Sequence, residues 1–560
     1  MRAALARPRL VLLLFFLASL AVRAASFAGF PHPAYPDSFY YVSTAREIAA
    51  GHGLVVPYLW SFVDVGSSVP AIGVLPIPAF FHWMPLAALI QVPFIWLLGP
   101  TDLASALPFL LLGALLAPLT YLFSRAALGV DQRPGRGRAA LLAGIIAVLP
   151  SFFSPFLGQP DNYAPFAILA LGALWLIARA WNGDRRHLPL VVAGILAGGA
   201  FLSRTDGLLI SVAVGLLFGF ELLAAARAHR PRRLAFSQVL VFGASALATV
   251  TPWLVRQWLT FGSLSPSGSS GRILWIREYS ELFSADGPLS PAYLFSWSPD
   301  KLIGSRVDAI GTMFSLVALG LLTGVFAAFA LGGLRARWRT AFLTPFLLYT
   351  LLFLTWSALV AAPHLPTGNF VHSVGAILPL LYILAAAGLN ELLGWADRRF
   401  ASFNPAASIQ RGLFLFVGIA LVGTLVFSFS TLNQWQTYRD QHLIAISWLA
   451  KAAPAGARLM SSDPGGFYTL DARFPGIQTP TSDLTVQARV AAVYHPQYLL
   501  LEKRALSSAL RPVLAGTVHP SWLSAPLFTI PAKPLAPGAT PGPDDALPEL
   551  VIYAVLPQTP

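Results

Sequence analysis

The chain has 560 residues, of which 56% are hydrophobic and only 11% are charged, and its mean hydropathy is +0.66. Soluble domains carry about 25% charged residues, so this composition excludes a wholly soluble protein and predicts that most of the chain faces lipid. The formal net charge is +13, but the basic residues form short runs between apolar segments, which argues against nucleic-acid binding, and the absence of cysteine excludes disulfides and thiolate metal sites.

A membrane-spanning helix needs about 17–25 mostly apolar residues. The segments that meet or approach this length are 9–29, 79–98, 103–124, 139–157, 163–181, 188–203, 208–228, 235–257, 309–333, 341–361, 371–394 and 411–431. Segment 79–98 is interrupted by Pro85, Gln91 and Pro93, so we assign it to an external loop. The remaining segments predict about eleven crossings.

The Arg-rich runs predict the orientation, because basic residues concentrate in cytoplasmic loops. Such runs precede many of the apolar segments, at 2–9, 125–138, 185–186, 230–233, 335–339 and 398–411. This places the N-terminus in the cytoplasm. The outer segments are then 31–102, 158–162, 204–207, 258–308, 362–370 and 432–560. The alternative interpretation of 9–29 is a cleaved signal peptide, because Ala-Val-Arg-Ala-Ala resembles a cleavage region; the sidedness of the later segments would be unchanged.

The chain divides into a membrane part, 1–431, and a small outer α/β domain, 432–560, where shorter apolar runs are broken by Pro, Gly and Asp. Helical spacing is predicted for 441–452 and 483–493. Strands are predicted at 457–461, 498–502 and 550–553, a turn at 463–466 and a loop at 531–544. We therefore expect a polytopic α-helical membrane protein with a soluble C-terminal domain.

Two acids are predicted at the outer mouth of the helix bundle. Asp37 follows the first helix and begins a helical stretch that Gly51 would end, and Asp161 lies in a very short outer loop. Each has a purely structural interpretation as the N-cap of the helix that follows it. A carboxylate at a water–lipid boundary is also suited to act as a general base or to bind a cation.

The stretch from Pro36 to Leu54, with its aromatic helix and the run Ala-Arg-Glu-Ile-Ala-Ala-Gly-His-Gly-Leu, resembles the GT-C superfamily of membrane glycosyltransferases. Asp161 matches a second acid of that superfamily, and Phe201-Leu202-Ser203-Arg204-Thr205-Asp206-Gly207 resembles another of its short motifs. The protein O-mannosyltransferase and aminoarabinose transferase branches, of the glycosyltransferase family 39 type, are the most similar. The sequence departs from those branches in having Ser38 after Asp37 and in lacking a His-Pro-Pro motif; Pro76-Ile77-Pro78 and His82 lie near its place.

The resemblance implies an enzyme that moves a sugar from a polyprenyl-phosphate donor to an acceptor hydroxyl on the outer face, by inverting single displacement. Asp37 and Asp161 would be catalytic. The leaving phosphate needs cations, since it departs as an anion. Outer-face candidates for contact with the donor phosphate or substrate are Arg204, Arg272, Arg277, Lys301, His364 and His372. The acceptor is left open among a lipid, a glycan and a protein, and the sugar is not indicated.

Each of these candidates also has a structural interpretation. Arg204 is expected to pair with Asp206 or Asp161, Arg272 and Arg277 fit an interfacial amphipathic helix, and His364 and His372 fit a solvated loop.

No His, Asp or Glu cluster has a spacing that predicts a metal site, although the resemblance leaves a divalent cation, Mg or Mn, open between Asp37 and Asp161. The Ala-, Arg- and Pro-rich composition indicates a GC-rich bacterial genome, hence undecaprenyl phosphate as carrier and the plasma membrane as location. A multi-pass transporter or lipid flippase is the alternative function.

Overall fold

The computed structural model describes residues 8–130, 137–228, 234–265, 267–364, 368–400, 405–534 and 542–557. The first part of the chain is helical, with one two-stranded antiparallel sheet of β1 (Val55–Val56) and β2 (Ile77–Pro78). The α-helices are α1 (Pro8–Gly29), α2 (Pro36–Ala49), α3 (Leu86–Leu89), α4 (Val92–Leu98), α5 (Asp102–Leu128), α6 (Gly137–Val148), α7 (Tyr163–Trp181), α8 (Leu188–Ser203), α9 (Leu208–Ala228), α10 (Phe236–Phe261), α11 (Ser270–Ile273), α12 (Pro291–Phe295), α13 (Pro299–Ser315), α14 (Val325–Arg337), α15 (Thr344–Leu359), α16 (Asn369–Ser373), α17 (Leu378–Arg399) and α18 (Pro405–Ala452).

Within the described residues, nine helices are long and apolar enough to cross a membrane. They are α1, α5, α7, α9, α10, α13, α15, α17 and α18. Helix α6 and the segment Ser151–Gly158, bent by 45°, add a tenth if they form one span. The chain is a multi-pass helical membrane protein, which confirms the predicted fold class.

Some predicted spans differ from the observed helices. The segment predicted at 309–333 is divided: α13 continues into a π-helical turn at Leu316–Leu321, and α14 begins at Val325. Helix α8 has only 16 residues, too few for a full span. The number of long helices is therefore lower than the eleven crossings expected. The segment at 79–98 forms only the short helices α3 and α4, with Trp96 and Leu97 exposed, as its assignment to a loop requires.

Close backbone contact joins the membrane helices where side chains are smallest. A Cβ atom added to Gly333 of α14 would lie 1.9 Å from the Leu384 carbonyl oxygen, and one added to Gly388 of α17 would lie 1.9 Å from that of Phe329. Because apolar burial gives little drive to associate in lipid, helices pack by such close approach of small residues.

The C-terminal part is an α/β domain, as predicted. Its elements are β3 (Leu459–Ser461), α19 (Pro464–Leu470), β4 (Gly476–Gln478), α20 (Leu484–Tyr494), β5 (Tyr498–Glu502), α21 (Arg511–Leu514), β6 (Leu523–Ile530) and β7 (Leu550–Val555). The five strands form one sheet in the order β4-β3-β5-β7-β6, with β3 parallel to β4 and β5 and with β7 antiparallel to β5 and β6.

Five predicted elements of this domain are confirmed. They are the helices at 441–452, which is the end of α18, and 483–493, and the strands at 457–461, observed at 459–461, 498–502 and 550–553. The turn predicted at 463–466 is wrong. Asp463 instead caps α19 by accepting a hydrogen bond from the Gly466 amide, and Pro464 takes the first helical position, which suits its fixed φ angle. Part of the predicted loop at 531–544 lies outside the described residues.

The first long loop, 31–102, packs against this sheet. The Leu59 amide donates to the Gly476 carbonyl oxygen over 3.0 Å, and the Gln478 amide donates to the Leu59 carbonyl oxygen over 2.8 Å. The loop at 258–308 joins the same assembly, because the Ser61 hydroxyl donates to the Leu282 carbonyl oxygen over 2.6 Å. The three regions expected to share one face of the membrane therefore do lie together.

Candidate active site

Asp37 occupies the first turn of α2, but it does not cap the helix. The N-cap residue is Tyr35, no side chain caps the first turn, and Pro36 takes an early helical position, so the N-cap interpretation of Asp37 is wrong. The predicted end of the helix is confirmed, since Gly51 follows the C-cap residue with a φ of 86°. The Asp37 carboxylate instead faces His372, with Oδ2 3.2 Å from Nε2.

Asp161 lies in the turn before α7 and is fully buried. Its Oδ1 accepts a 2.5 Å hydrogen bond from the Asn162 amide, and Asn162 itself is the N-cap residue without a side-chain cap. The capping interpretation of Asp161 is therefore also wrong. Among the residues that the structure describes, none donates a hydrogen bond to its Oδ2, which lies 3.4 Å from Nδ1 of His372.

His372 joins the two acids. Its ring is 7% exposed, stacks on Tyr163 with centroids 4.3 Å apart, and places Nδ1 3.1 Å from Oδ1 of Asn162. The prediction of a solvated loop histidine is wrong. The imidazole presents one nitrogen to each carboxyl group, so it can pass a proton or orient a carboxylate between them.

Burial disfavours the charged form of all three groups. Burial, and then the neighbouring Asp161, raise the pKa of Asp37 well above its ordinary value. Burial raises the pKa of Asp161 to about 6. The pKa of His372 lies well below its usual range, because the ring is buried and Arg204 is nearby. This pocket therefore favours either a shared proton or a bound cation over two free carboxylates.

Arg204 ends α8 beside this group. Its Nε donates to the Ser373 hydroxyl over 2.7 Å, and one Nη donates to Oδ1 of Asn369 over 2.8 Å. Its distance to Oδ2 of Asp206 is 3.4 Å, which confirms the predicted pairing with Asp206. Ser373 also donates to Asp206. The guanidinium is thus held at a fixed place next to the two acids.

Two cavities meet at Asp37 and His372. The interdomain cavity, of about 670 Å³, lies under the C-terminal domain and is lined by residues of α2, α18 and the loops after β3 and β5. The bundle cavity, of about 450 Å³, is lined by Arg204, Leu208 and Val212 among others. Asp37 and His372 line both cavities. A third, the loop cavity, of about 750 Å³, lies between the 258–308 loop and the C-terminal sheet.

Known structures share this arrangement of helices. No family model matches the chain, and no curated protein matches its sequence. The structure is similar to that of ArnT from Cupriavidus metallidurans bound to undecaprenyl phosphate, with a TM-score of 0.57 and 15% identity over 97% of both chains. It is also similar to the Archaeoglobus fulgidus oligosaccharyltransferase AglB in complex with an inhibitory peptide and dolichol-phosphate, with a TM-score of 0.53 and 14% identity over 89% of this chain and 69% of that one.

The chain has the GT-C fold. The same oligosaccharyltransferase, solved with zinc and sulfate, matches with a TM-score of 0.52 and 14% identity over 88% of this chain and 68% of that one. The resemblance inferred from the sequence is confirmed at the level of fold.

Among the side chains that the structure describes, those of Arg272, Arg277 and Lys301 form no ion pair or hydrogen bond with Asp37, Asp161 or His372. Arg272 is exposed and donates to the Gly66 carbonyl oxygen. Arg277 donates to the Ser296 hydroxyl over 2.7 Å and lies over the Tyr293 ring. Lys301 is exposed in the first turn of α13. The backbone of His364 is in a short 3-10 helix, and its side chain lies outside the described part of the structure.

Sequence reasoning missed the polar partners that hold the site. These are Asn162, Asn369 and Ser373, together with a cluster in the C-terminal domain. The only feature of the sequence that pointed to Asn162 is its position directly after Asp161. Asn369 and Ser373 sit on α16, far from Arg204 in sequence, and only the packing of the bundle brings them to it.

The paired acids and His372 fit a divalent cation. One ligand atom from each residue lies within 4.8 Å of the others. The 3.2 and 3.4 Å contacts of His372 use different ring nitrogens, so an ion would be held by the two carboxylates and only one of those nitrogens. A cation would also give a ligand contact to the buried Oδ2 of Asp161, which accepts no hydrogen bond from the described part of the chain.

Proposed function

We propose that the protein is a membrane glycosyltransferase that moves a sugar from a polyprenyl-phosphate donor to an acceptor hydroxyl, with Asp37 as general base. The observation that carries this proposal is the position of Asp37, at the junction of the interdomain and bundle cavities. Two substrates that enter from opposite sides would meet at this carboxylate. A transporter needs one continuous path for one substrate instead.

The bundle cavity suits the donor. Its lining includes Leu208 and Val212 of α9, whose side chains are 55% and 40% exposed on a helix long enough to span the membrane. An isoprenoid chain would lie among such apolar side chains, and Arg204 would face the phosphate. Arg is suited to phosphate because its planar fork donates two hydrogen bonds at once. ArnT and AglB, which share the fold, were solved with undecaprenyl phosphate and dolichol-phosphate respectively.

The chemistry follows from this placement. The acceptor oxygen forms a bond to the anomeric carbon as the bond from that carbon to the phosphate oxygen breaks. Asp37 takes the hydroxyl proton, and the polyprenyl phosphate leaves with the bonding electrons. Attack opposite the leaving group inverts the anomeric centre. His372 holds Asp37 through Nε2, and its Nδ1 faces Oδ1 of Asn162, with Asp161 slightly farther away, so the base stays oriented.

A divalent cation bound by Asp37, Asp161 and one nitrogen of His372 would supply positive charge for the leaving phosphate. The carboxylate-rich set suits Mg or Mn, and the added imidazole also suits Zn.

The location that we propose is the bacterial plasma membrane, with the N-terminus in the cytoplasm and the site on the outer face. Because the natural chain has no cysteine, single cysteines report sidedness without background. A cysteine at the exposed position Ser508 should react with a membrane-impermeant thiol reagent in intact cells, and one at Arg185 should react only after lysis. The opposite pattern would contradict this orientation.

The test of the reaction uses purified protein in lipid with a panel of radiolabelled polyprenyl-phosphate sugars and a broad acceptor extract. Wild type should transfer sugar from one donor. Asp37→Asn should lower the rate by about 10²–10⁴-fold without lowering the thermal midpoint, since the side chain keeps its shape and loses a carboxylate whose charged form burial disfavours. Normal transfer by Asp37→Asn would refute the assignment of the base. No turnover of any donor by folded wild type would direct attention to transport, measured as substrate uptake in vesicles.

A further inference from the structure

The C-terminal domain presents a polar cluster to the interdomain cavity, at a point where the proposed transfer reaction uses no residue. Ser462 and Asp463 follow β3, and Glu502 and Arg504 lie at and after the end of β5. These strands are parallel neighbours, so the residues share the carboxyl edge of the sheet. In open α/β sheets, ligands bind in the crevice outside this edge.

The cluster is held rigidly. The side chain of Glu502 is only 2% exposed. It accepts hydrogen bonds from the Ser462 hydroxyl over 2.6 Å and from Nε of Arg504 over 3.1 Å. Its carboxylate also lies 2.7 Å from Nε2 of His442. One Nη of Arg504 is 3.3 Å from Asp463. The other Nη has no hydrogen-bond partner among the residues that the structure describes. The side chain of Arg504 is 27% exposed and lines both the interdomain and the loop cavities.

The charge of the two cavities selects against an anionic acceptor. In the interdomain cavity, Asp102 and Asp463 balance two guanidinium groups, and burial disfavours the charged form of Asp37. In the loop cavity, four carboxylates face one guanidinium group. The loop-cavity carboxylates are those of Glu278, Glu281, Asp286 and Glu502. A phosphate or carboxylate that entered the loop cavity would meet like charge, which disfavours its binding.

Aromatic rings complete the lining of the interdomain cavity. Trp435 and Tyr438 of α18 and Tyr279 and Phe283 of the long loop all line it, and the last two also line the loop cavity. A sugar ring has apolar C–H faces that pack on aromatic rings and hydroxyl groups around its edge that need hydrogen-bond partners. The aromatic rings of this cavity can pack on the sugar face, and the paired charged groups beside them can hydrogen-bond its hydroxyls. Neither contact requires a charge on the ligand.

We propose that the acceptor is an electrically neutral carbohydrate, which enters along the loop cavity and is bound in the interdomain cavity by Arg504, Asp463 and Ser462. This inference rests on the proposed glycosyltransferase function and names the acceptor class for it. Arg504 donates to the acceptor's hydroxyl oxygens with its free Nη, and Asp463 and Ser462 accept from its hydroxyl hydrogens. The acceptor hydroxyl nearest the bundle is then presented to Asp37, which lines the same cavity.

The experiment measures binding without any donor, so that it does not depend on transfer. Full-length protein in nanodiscs is titrated calorimetrically with neutral gluco-, manno-, galacto- and arabino-oligosaccharides. The same oligosaccharides with one terminal uronic acid or phosphate, and a Ser/Thr-rich peptide, are titrated in parallel. Arg504→Lys keeps the charge but removes the planar fork, and Ser462→Ala removes a single hydroxyl. The control is Arg473→Lys, because Arg473 forms an exposed pair with Asp471 in the same domain and lines none of the three cavities.

At least one neutral oligosaccharide should bind, its charged form should bind at least tenfold more weakly, and Arg504→Lys should weaken the neutral ligand at least tenfold. Arg473→Lys should leave its affinity unchanged. Binding of no neutral oligosaccharide, tighter binding of a charged form or of the peptide, or unchanged affinity in both cluster variants would overturn the proposal. Donor consumption is assayed separately. Donor turnover with a peptide or an anionic acceptor would refute the neutral-carbohydrate proposal but support the glycosyltransferase function. Absence of donor turnover with every acceptor would refute the glycosyltransferase function.

Discussion

Arg23 is a fully buried arginine in the first membrane helix, and its removal should destabilise the whole bundle. Its guanidinium donates to the Val148 carbonyl oxygen over 3.0 Å and to the Ser154 hydroxyl over 3.1 Å, with longer 3.4 Å contacts to the carbonyls of Ala147 and Ser154. Helix α6 ends at Val148, so Arg23 satisfies carbonyls that the helix leaves free at its negative end.

Arg23→Met keeps the length of the side chain and removes every donor. The two shorter bonds are worth about 1.5–3 kcal/mol each with a charged donor. Part of that is offset because methionine carries no desolvation cost. We expect a net loss of about 2–4 kcal/mol in the free energy of unfolding. The turn that Arg23 holds leads into the segment that carries Asp161, so the transfer rate should fall as well.

The assay is SDS-induced unfolding of purified protein in mixed micelles, followed by tryptophan fluorescence. Arg9→Met is the matched control, since Arg9 is an exposed arginine in the first turn of the same helix. The control should change the free energy by less than about 0.5 kcal/mol. Equal stability of Arg23→Met and wild type would show that water or lipid satisfies these carbonyls equally well, and the capping role would be wrong.

Three further predictions concern single side chains. Burial raises the pKa of Asp64 to about 7, so the folded state holds this proton more tightly than the unfolded chain. Relative to Asp64→Asn, the thermal midpoint of wild type should therefore fall as pH rises from 4 to 7. Parallel curves of midpoint against pH for the two proteins would contradict this. Burial alone would raise the pKa of Glu502, but Arg504 and His442 outweigh it and hold the pKa well below its ordinary value. The contribution of Glu502 to the free energy of unfolding is therefore present at neutral pH and is lost progressively below about pH 4.5. If the thermal midpoint of Glu502→Gln fell with acid in the same way as that of wild type, the ion pair would not be stabilising. Arg204→Ala should weaken donor binding at least tenfold in a competition assay; unchanged affinity would reduce Arg204 to a structural partner of Asp206.

The sequence allowed the fold and the two acids to be predicted for a simple physical reason. Apolar segment length is set by the thickness of the bilayer, and Arg-rich loops set the sidedness, so Asp37 and Asp161 could be placed at the same mouth of the bundle. The Arg204–Asp206 pair could be predicted because its members are two residues apart.

The partners of these groups could not be predicted, because their contacts depend on packing between distant segments. His372 lies 210 residues from Asn162 along the chain, and nothing local distinguishes it from a surface histidine. Some local sequence patterns are also compatible with two different secondary structures. An Asp-Pro-Gly-Gly stretch suits a turn, but Asp463 with Pro464 equally suits the start of a helix, and only the sheet beside it decides.

Helix α18 runs without interruption through 48 residues, a length of about 72 Å, more than twice the hydrocarbon thickness of a bilayer. One end crosses the bundle, and the other, with Ala445 and Leu449, forms part of the core of the C-terminal domain. The continuous helix therefore sets the distance between the membrane bundle and the C-terminal domain. As a consequence, the glycosyltransferase proposed above would reach only acceptor positions at that one distance from the membrane, whatever the length of the chain on which they are carried.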